Sequence, residues 1–193
     1  MLKNQFGNLA LLVLLSGSGW LRPACAQTAA QRLVEVENII VSGTRLPSES
    51  IIKLSGIKPH DKVNDLIVNS ACHKITATGL IKNVAYFYDA YPDRPEVVLN
   101  LTITDEAPLV PAVVKPAAEE WLWTCMQAQD GIFKRDLPPT EKALAFYSKG
   151  FEACLQTKGR TDEYAGSTVT ADAGGAVSSV VFEIRRYKGV PQK

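Results

Sequence analysis

Histidine is almost missing from these 193 residues: His60 and His73 are the only two. Neither is joined by cysteines or carboxylates at metal-ligand spacing, which leaves little from which to build a metal centre. A long field of one charge is also missing. The 21 basic and 20 acidic residues are interspersed, so no basic stripe favours nucleic acid or an anionic membrane surface. Gly43, Gly56, Gly79 and the Gly174–Gly175 pair are scattered and form no phosphate loop, and `SGSG` near the start lacks the pattern of a nucleophile elbow. The longest apolar run, `LALLVLL`, is too short for a comfortable spanning helix.

That run has another use. Lys3 precedes it and `ACA` follows at residues 24–26, so residues 1–26 read as a secretory signal peptide cleaved after Ala26. A lipoprotein reading would place Cys25 at the mature terminus, but Arg22 and Pro23 make a poor context for lipid attachment. Cleavage removes Lys3 and Arg22, leaving 19 basic against 20 acidic residues in a mature chain of 167. Export places the mature chain in an oxidising compartment. Of its three cysteines, Cys125 and Cys154 are the better pair, because they fall in the same predicted domain. Closing that loop would stabilise the fold by about 3–4 kcal/mol. Cys72 falls in an apolar helical pattern and reads as a buried thiol, with an intermolecular disulfide as the alternative.

The periodicities give two small modules, residues 32–109 and 110–190. In the first, `VEVENIIVSGT` is a β-branched strand stopped by Gly43; adjacent Ile39 and Ile40 break its alternation, and Val36, Ile39 and Val41 bury one face if it bends or carries a bulge. `SESIIKLS` predicts a short helix capped by Ser48 and ended before Gly56. A second helix starts from Asn64, with Ile67, Val68, Ala71, Cys72 and Ile75 as its apolar stripe. Gly79 ends it in a left-handed turn. Val84, Tyr86 and Tyr88 alternate along the next strand, `YPDRP` turns the chain, and Val97, Leu99, Leu101 and Ile103 line a last strand. The result is an α+β module of order β-α-α-β-β, with two helices on a three-stranded mixed sheet.

In the second module `EAPLVPAVVKP` is a proline-marked junction in which Val113 and Val114 start a strand. `AEEWLWTCMQA` predicts a helix, `DGIFKRDLPP` an exposed connector, and Thr140 caps a helix carrying Leu144, Tyr147, Phe151, Cys154 and Leu155, with Gly159 near its end. Two strands then flank Gly174–Gly175. Separate packing of the two modules is expected.

Little in this pattern resembles catalysis. Cys72 and His73 are neighbours on a helix and point in different directions, so they make no dyad. Asp61, Asp65, Asp105 and Glu106 read as solvated, capping or turn residues. The `NLT` sequon at Asn100 falls inside a predicted strand. No cofactor, metal or catalytic residue is assigned. Trp121, Trp123, Phe146, Tyr147 and Phe151 have the spacing of a helical core. An exposed sheet edge is the better functional candidate, since its unused backbone groups can pair with an extended partner strand. Tyr86, Phe87 and Tyr88 mark an accessible place on such a strand.

`VENIIVSGT`, the short helix leading to `LSGIKPHDKV`, `ITATGLIKNVAYFYD` and `PEVVLNLTITDEAP` occur in that order. On these segments, roughly Arg32–Leu109, the chain resembles the POTRA (polypeptide-transport-associated) domain family, and the second half resembles a divergent POTRA-like extension. The resemblance implies a periplasmic interaction module for outer-membrane protein assembly, two-partner secretion or related transport. Its partners would be an envelope protein, such as an outer-membrane β-barrel, or an extended polypeptide client. It implies fold roles for Gly43, Gly56 and Gly79. No β-barrel region follows the modules before Lys193, so a soluble adaptor or scaffold is expected. The other readings are a structural or regulatory subunit that recognises one folded envelope protein, and a ligand-binding protein or enzyme with a site between the modules.

Overall fold

The computed structural model describes residues 32–187. The signal-peptide segment, Cys25 and the last residues of the expected second module lie outside them. The described chain forms eight strands and four α-helices in two sheets of identical plan. In the first half β1 (Val34–Ser42), α1 (Ser48–Ser55), β2 (Lys62–Val63), α2 (Asp65–Ala77), β3 (Ile81–Ala90) and β4 (Val97–Asp105) build a sheet of order β2-β1-β4-β3. The second half repeats this with β5 (Val110–Lys115), α3 (Trp121–Gln129), β6 (Asp136–Leu137), α4 (Glu141–Thr157), β7 (Glu163–Ala171) and β8 (Val177–Arg186), in the order β6-β5-β8-β7. In each sheet the first long strand runs parallel to the last, and the other pairs are antiparallel. Each is therefore a mixed sheet with helices packed on it. The two-residue strands β2 and β6 raise the expected three strands to four.

Local chemistry explains the elements. In β1 the register shifts between Val36 and Asn38, where the Asn38 carboxamide accepts from the Ile39 N–H at 2.8 Å. This bulge lets Val36 and Ile39 both face inward, although their spacing is odd for a flat strand. The Asn64 side chain caps α2 by accepting from Ile67 N at 3.0 Å, and Thr140 caps α4 by accepting from Ala143 N at 3.3 Å. For α1 the expectation fails. Pro47, in extended conformation, occupies the cap position, and Ser48 is already the first helical residue.

Two further expectations are corrected. Ile67 belongs to the first turn of α2 but is 41% exposed, and the buried stripe consists of Val68, Ala71 and Ile75. The `DGIFKRDLPP` segment is not an exposed connector: Ile132 and Leu137 are fully buried and Phe133 nearly so. Phe133 stacks on Phe146 and meets Tyr147 edge-on, while Tyr147 Oη accepts from Lys134 N at 2.9 Å and donates to Lys134 O at 3.0 Å. One buried phenol thus satisfies a non-helical, non-sheet backbone pair.

Trp123, Tyr147 and Phe151 are buried, and Phe182 from β8 packs on both Tyr147 and Phe151. The aromatic helices build a core. Cys125 on α3 and Cys154 on α4 are joined in a disulfide across a sequence separation of 29. In the same half, Arg160 holds Glu119 with two hydrogen bonds at 2.7 and 2.9 Å and also contacts the buried Glu163 of β7. The Arg160 bonds hold the Glu119 carboxyl below the usual carboxylate range, partly opposed by burial.

Contrary to separate packing, buried apolar residues of both halves form one contiguous cluster. A cavity of about 240 Å³ is lined by Leu46 and Leu80 from the first half and Ile132 and Tyr147 from the second. Polar contacts reinforce the joint. Ser50 Oγ donates to Asp130 at 2.8 Å, and Lys53 Nζ lies 3.5 Å from the same carboxylate.

Candidate functional site

Sheet order identifies the exposed edges. The ten residues of β3 pair with β4 on one side, and β3 ends the order β2-β1-β4-β3. The nine-residue β7 holds the same place in the second sheet. At the opposite ends the two-residue strands β2 and β6 make far shorter edges. Long unpaired donors and acceptors are therefore offered by β3 and β7.

The aromatic run on β3 divides between two faces, because side chains alternate along a strand. Tyr86 and Tyr88 are half-buried against α2, and their rings meet edge-on at 5.8 Å. Tyr86 Oη donates to Asp65 at 3.3 Å. The Tyr88 hydroxyl is buried without a hydrogen-bond partner, and desolvation first, then the nearby Asp65 charge, pushes its ionisation upward. Phe87 points to the opposite, helix-free face, is 52% exposed, and lies across from Asn100 of β4. The three residues thus do not make one patch: the tyrosines wall the α2–β3 side of the edge, and Phe87 stands behind it.

Between α2 and the start of β3 lies an open cavity of about 460 Å³. Cys72, His73, Lys82, Glu106, Thr140 and Lys142 are among its lining residues. Cys72 and His73 therefore share a cavity despite their divergent helical directions. Burial raises the Cys72 thiol, the reverse of what an activated nucleophile needs. No group of three or more His, Cys, Asp or Glu side chains suited to a metal occurs among the described residues. Three of the four carboxylates weighed in the sequence, Asp61, Asp65 and Asp105, have structural partners. Asp61 accepts from Lys58 N at 2.7 Å, and Asp105 accepts from Thr44 Oγ1 at 2.6 Å and Arg45 N at 3.0 Å.

Gly79 sits at the joint end of this cavity with φ of 72°. The turn alone favours glycine there. A second constraint was invisible in the sequence. A Cβ on Gly79 would collide with the Ala143 backbone N and approach Lys142 Cβ to 2.6 Å and Lys142 C to 2.8 Å. The end of α2 and the first turn of α4 meet here main chain to main chain. Gly43, with φ of 77°, is similarly confined against the Ile103 carbonyl, whereas Gly56, with φ of 72°, terminates α1 in more open space. Lys142 and Asp130 had no sequence signal as joint residues, because their partners are 60 or more positions away.

No helix among the described residues is long and apolar enough to cross a membrane. No family model matches the chain, and no curated protein does. Among solved structures, it is similar to the POTRA1-2 portion of the periplasmic domain of Omp85 from Anabaena, at 14% identity and a TM-score of 0.39 over 83% of this chain and 99% of that one. It is also similar to the N-terminal domain of Omp85 from Thermosynechococcus elongatus, at 15% identity and a TM-score of 0.40 over 80% of this chain and 63% of that one. Similarity to CdiB from Escherichia coli is at 16% identity and a TM-score of 0.31, over 90% of this chain and 30% of that one.

Proposed function

We propose that this chain is a noncatalytic scaffold or adaptor of the periplasm, serving outer-membrane protein assembly or polypeptide transport. It holds an extended client, or an extended segment of an outer-membrane β-barrel partner, by strand addition to β3. The observation that carries this reading is the edge itself: ten residues of β3 with one pairing side unused. Backbone hydrogen bonds along such an edge bind an extended segment with little dependence on its side chains, as a client-handling protein requires. The signal-peptide pattern and the ordered POTRA-like segments of residues 32–109 support an envelope setting for that activity.

Crosslinking in native periplasm tests it, with a photoreactive residue in place of Ala85, an exposed residue of β3. Envelope proteins or unfolded clients should be captured there. Capture of a single folded protein that unfolded chains do not displace would favour the regulatory-subunit reading. Enrichment of no envelope protein or client would overturn the proposal.

A further inference from the structure

The α2–β3 groove meets the first turn of α4 at one end, and two lysines line it. At the start of β3 the first turn of α4 abuts Gly79, so a strand lying along β3 meets the second half of the chain beside Ile81. Two lysines are among the residues lining the cavity, Lys82 from β3 and Lys142 from α4, together with His73 from α2. Glu106 is the one carboxylate among the residues facing the cavity. Among the described residues neither lysine takes part in an ion pair. The other end of β3 carries exposed Asp89 on the strand, and the turn that follows holds exposed Asp93 and Arg94 side by side.

A strand added antiparallel to β3 enters at the Ala90 end and finishes at Ile81, bringing its own C-terminus to the lysines. A parallel strand would bring an ammonium there instead, against like charge. An internal segment would have to turn away sharply at the α4 wall. Charge and shape therefore select the same occupant. We infer that the cavity at the start of β3 is an end clamp for the free C-terminal carboxylate of an extended polypeptide laid antiparallel on that edge. This inference rests on strand addition at β3 and adds which part of a client is held and in which direction. Lys82 and Lys142 supply the charge complement, and the clamp is incomplete without the second half of the chain.

The test uses the mature chain and an N-acetylated peptide of alternating threonine and valine, about nine residues long to match a strand. It is compared in three forms: free carboxylate, C-terminal amide, and a short glycine–serine extension beyond the last valine. Fluorescence anisotropy should show the free carboxylate binding roughly threefold to tenfold more tightly than the other two, the range expected for two solvated ion pairs. In the double variant Lys82→Gln, Lys142→Gln the preference should vanish while the amide binds as before, which also shows that the variant is folded. Equal binding of acid and amide overturns the clamp and leaves strand addition standing. Tighter binding of the extended form overturns it equally. If none of the three binds, both the clamp and strand addition at β3 fail.

Discussion

Replacing Gly79 by alanine separates two costs that usually come together. The first is conformational: with φ of 72°, a β-carbon costs about 1–2 kcal/mol in the left-handed region. The second is steric. The new atom would sit 2.6 Å from Lys142 Cβ and overlap the Ala143 backbone N, so α4 must shift away from α2 or the turn must distort. Overpacking of this kind costs about 1–3 kcal/mol, which gives about 2–5 kcal/mol in all. Gly159 is a built-in control. It has the same φ of 72°, and a β-carbon there would meet nothing within 4 Å, so Gly159→Ala should cost only the conformational share. Urea unfolding of the two variants measures the difference directly, and small-angle scattering of Gly79→Ala should show a changed angle between the halves. If Gly79→Ala proves no more destabilising than Gly159→Ala, the main-chain contact between α2 and α4 does not exist as described.

Reduction of the Cys125–Cys154 disulfide, or the pair Cys125→Ser and Cys154→Ser, should lower stability by about 3–4 kcal/mol, read as a fall in urea midpoint under reductant. The Arg160-held Glu119 has its folded pKa depressed, so its stabilisation is fully present above the unfolded value near 4.3. It is lost as pH falls through the folded value. Thermal melts should therefore show a loss below about pH 4 that Glu119→Gln reduces. Tyr147→Phe leaves the Lys134 N–H and carbonyl without their partner and should cost about 1–3 kcal/mol. Burial pushes the Tyr147 phenol up to about 12, so ultraviolet titration should find it protonated at pH values where exposed tyrosines have ionised.

The parts of the fold legible in the sequence were those fixed by near neighbours. Asn64, the buried positions of α2 and Gly79 lie within sixteen residues, and cap, stripe and stop are all local signals. The bulge in β1 was legible because Val36 and Ile39, three positions apart, cannot share one face of a flat strand. Ser48 misled because proline one position earlier sets the extended conformation of the cap itself. The `DGIFKRDLPP` segment misled for a different reason. Its apolar residues follow no period, and they are buried because α4, the next element, packs back over them, where a β-carbon on Gly150 would come within 2.9 Å of Phe133. The aromatic triplet on β3 was legible as a strand. Its division into two walling tyrosines and one outward phenylalanine required knowing which side α2 covers. That Lys82 and Lys142 line one cavity was not legible, since they are separated by 60 positions of chain.

The contact at Gly79 also bears on how this protein can change. Most interfaces between modules are made of side chains, and substitution can loosen or re-aim them in small steps. Where main chain touches main chain there is nothing to trim: any residue larger than glycine only pries the halves apart. The approach of the two halves at this point is therefore set by backbone alone, while the exposed residues of β3 and β7 take no part in that contact.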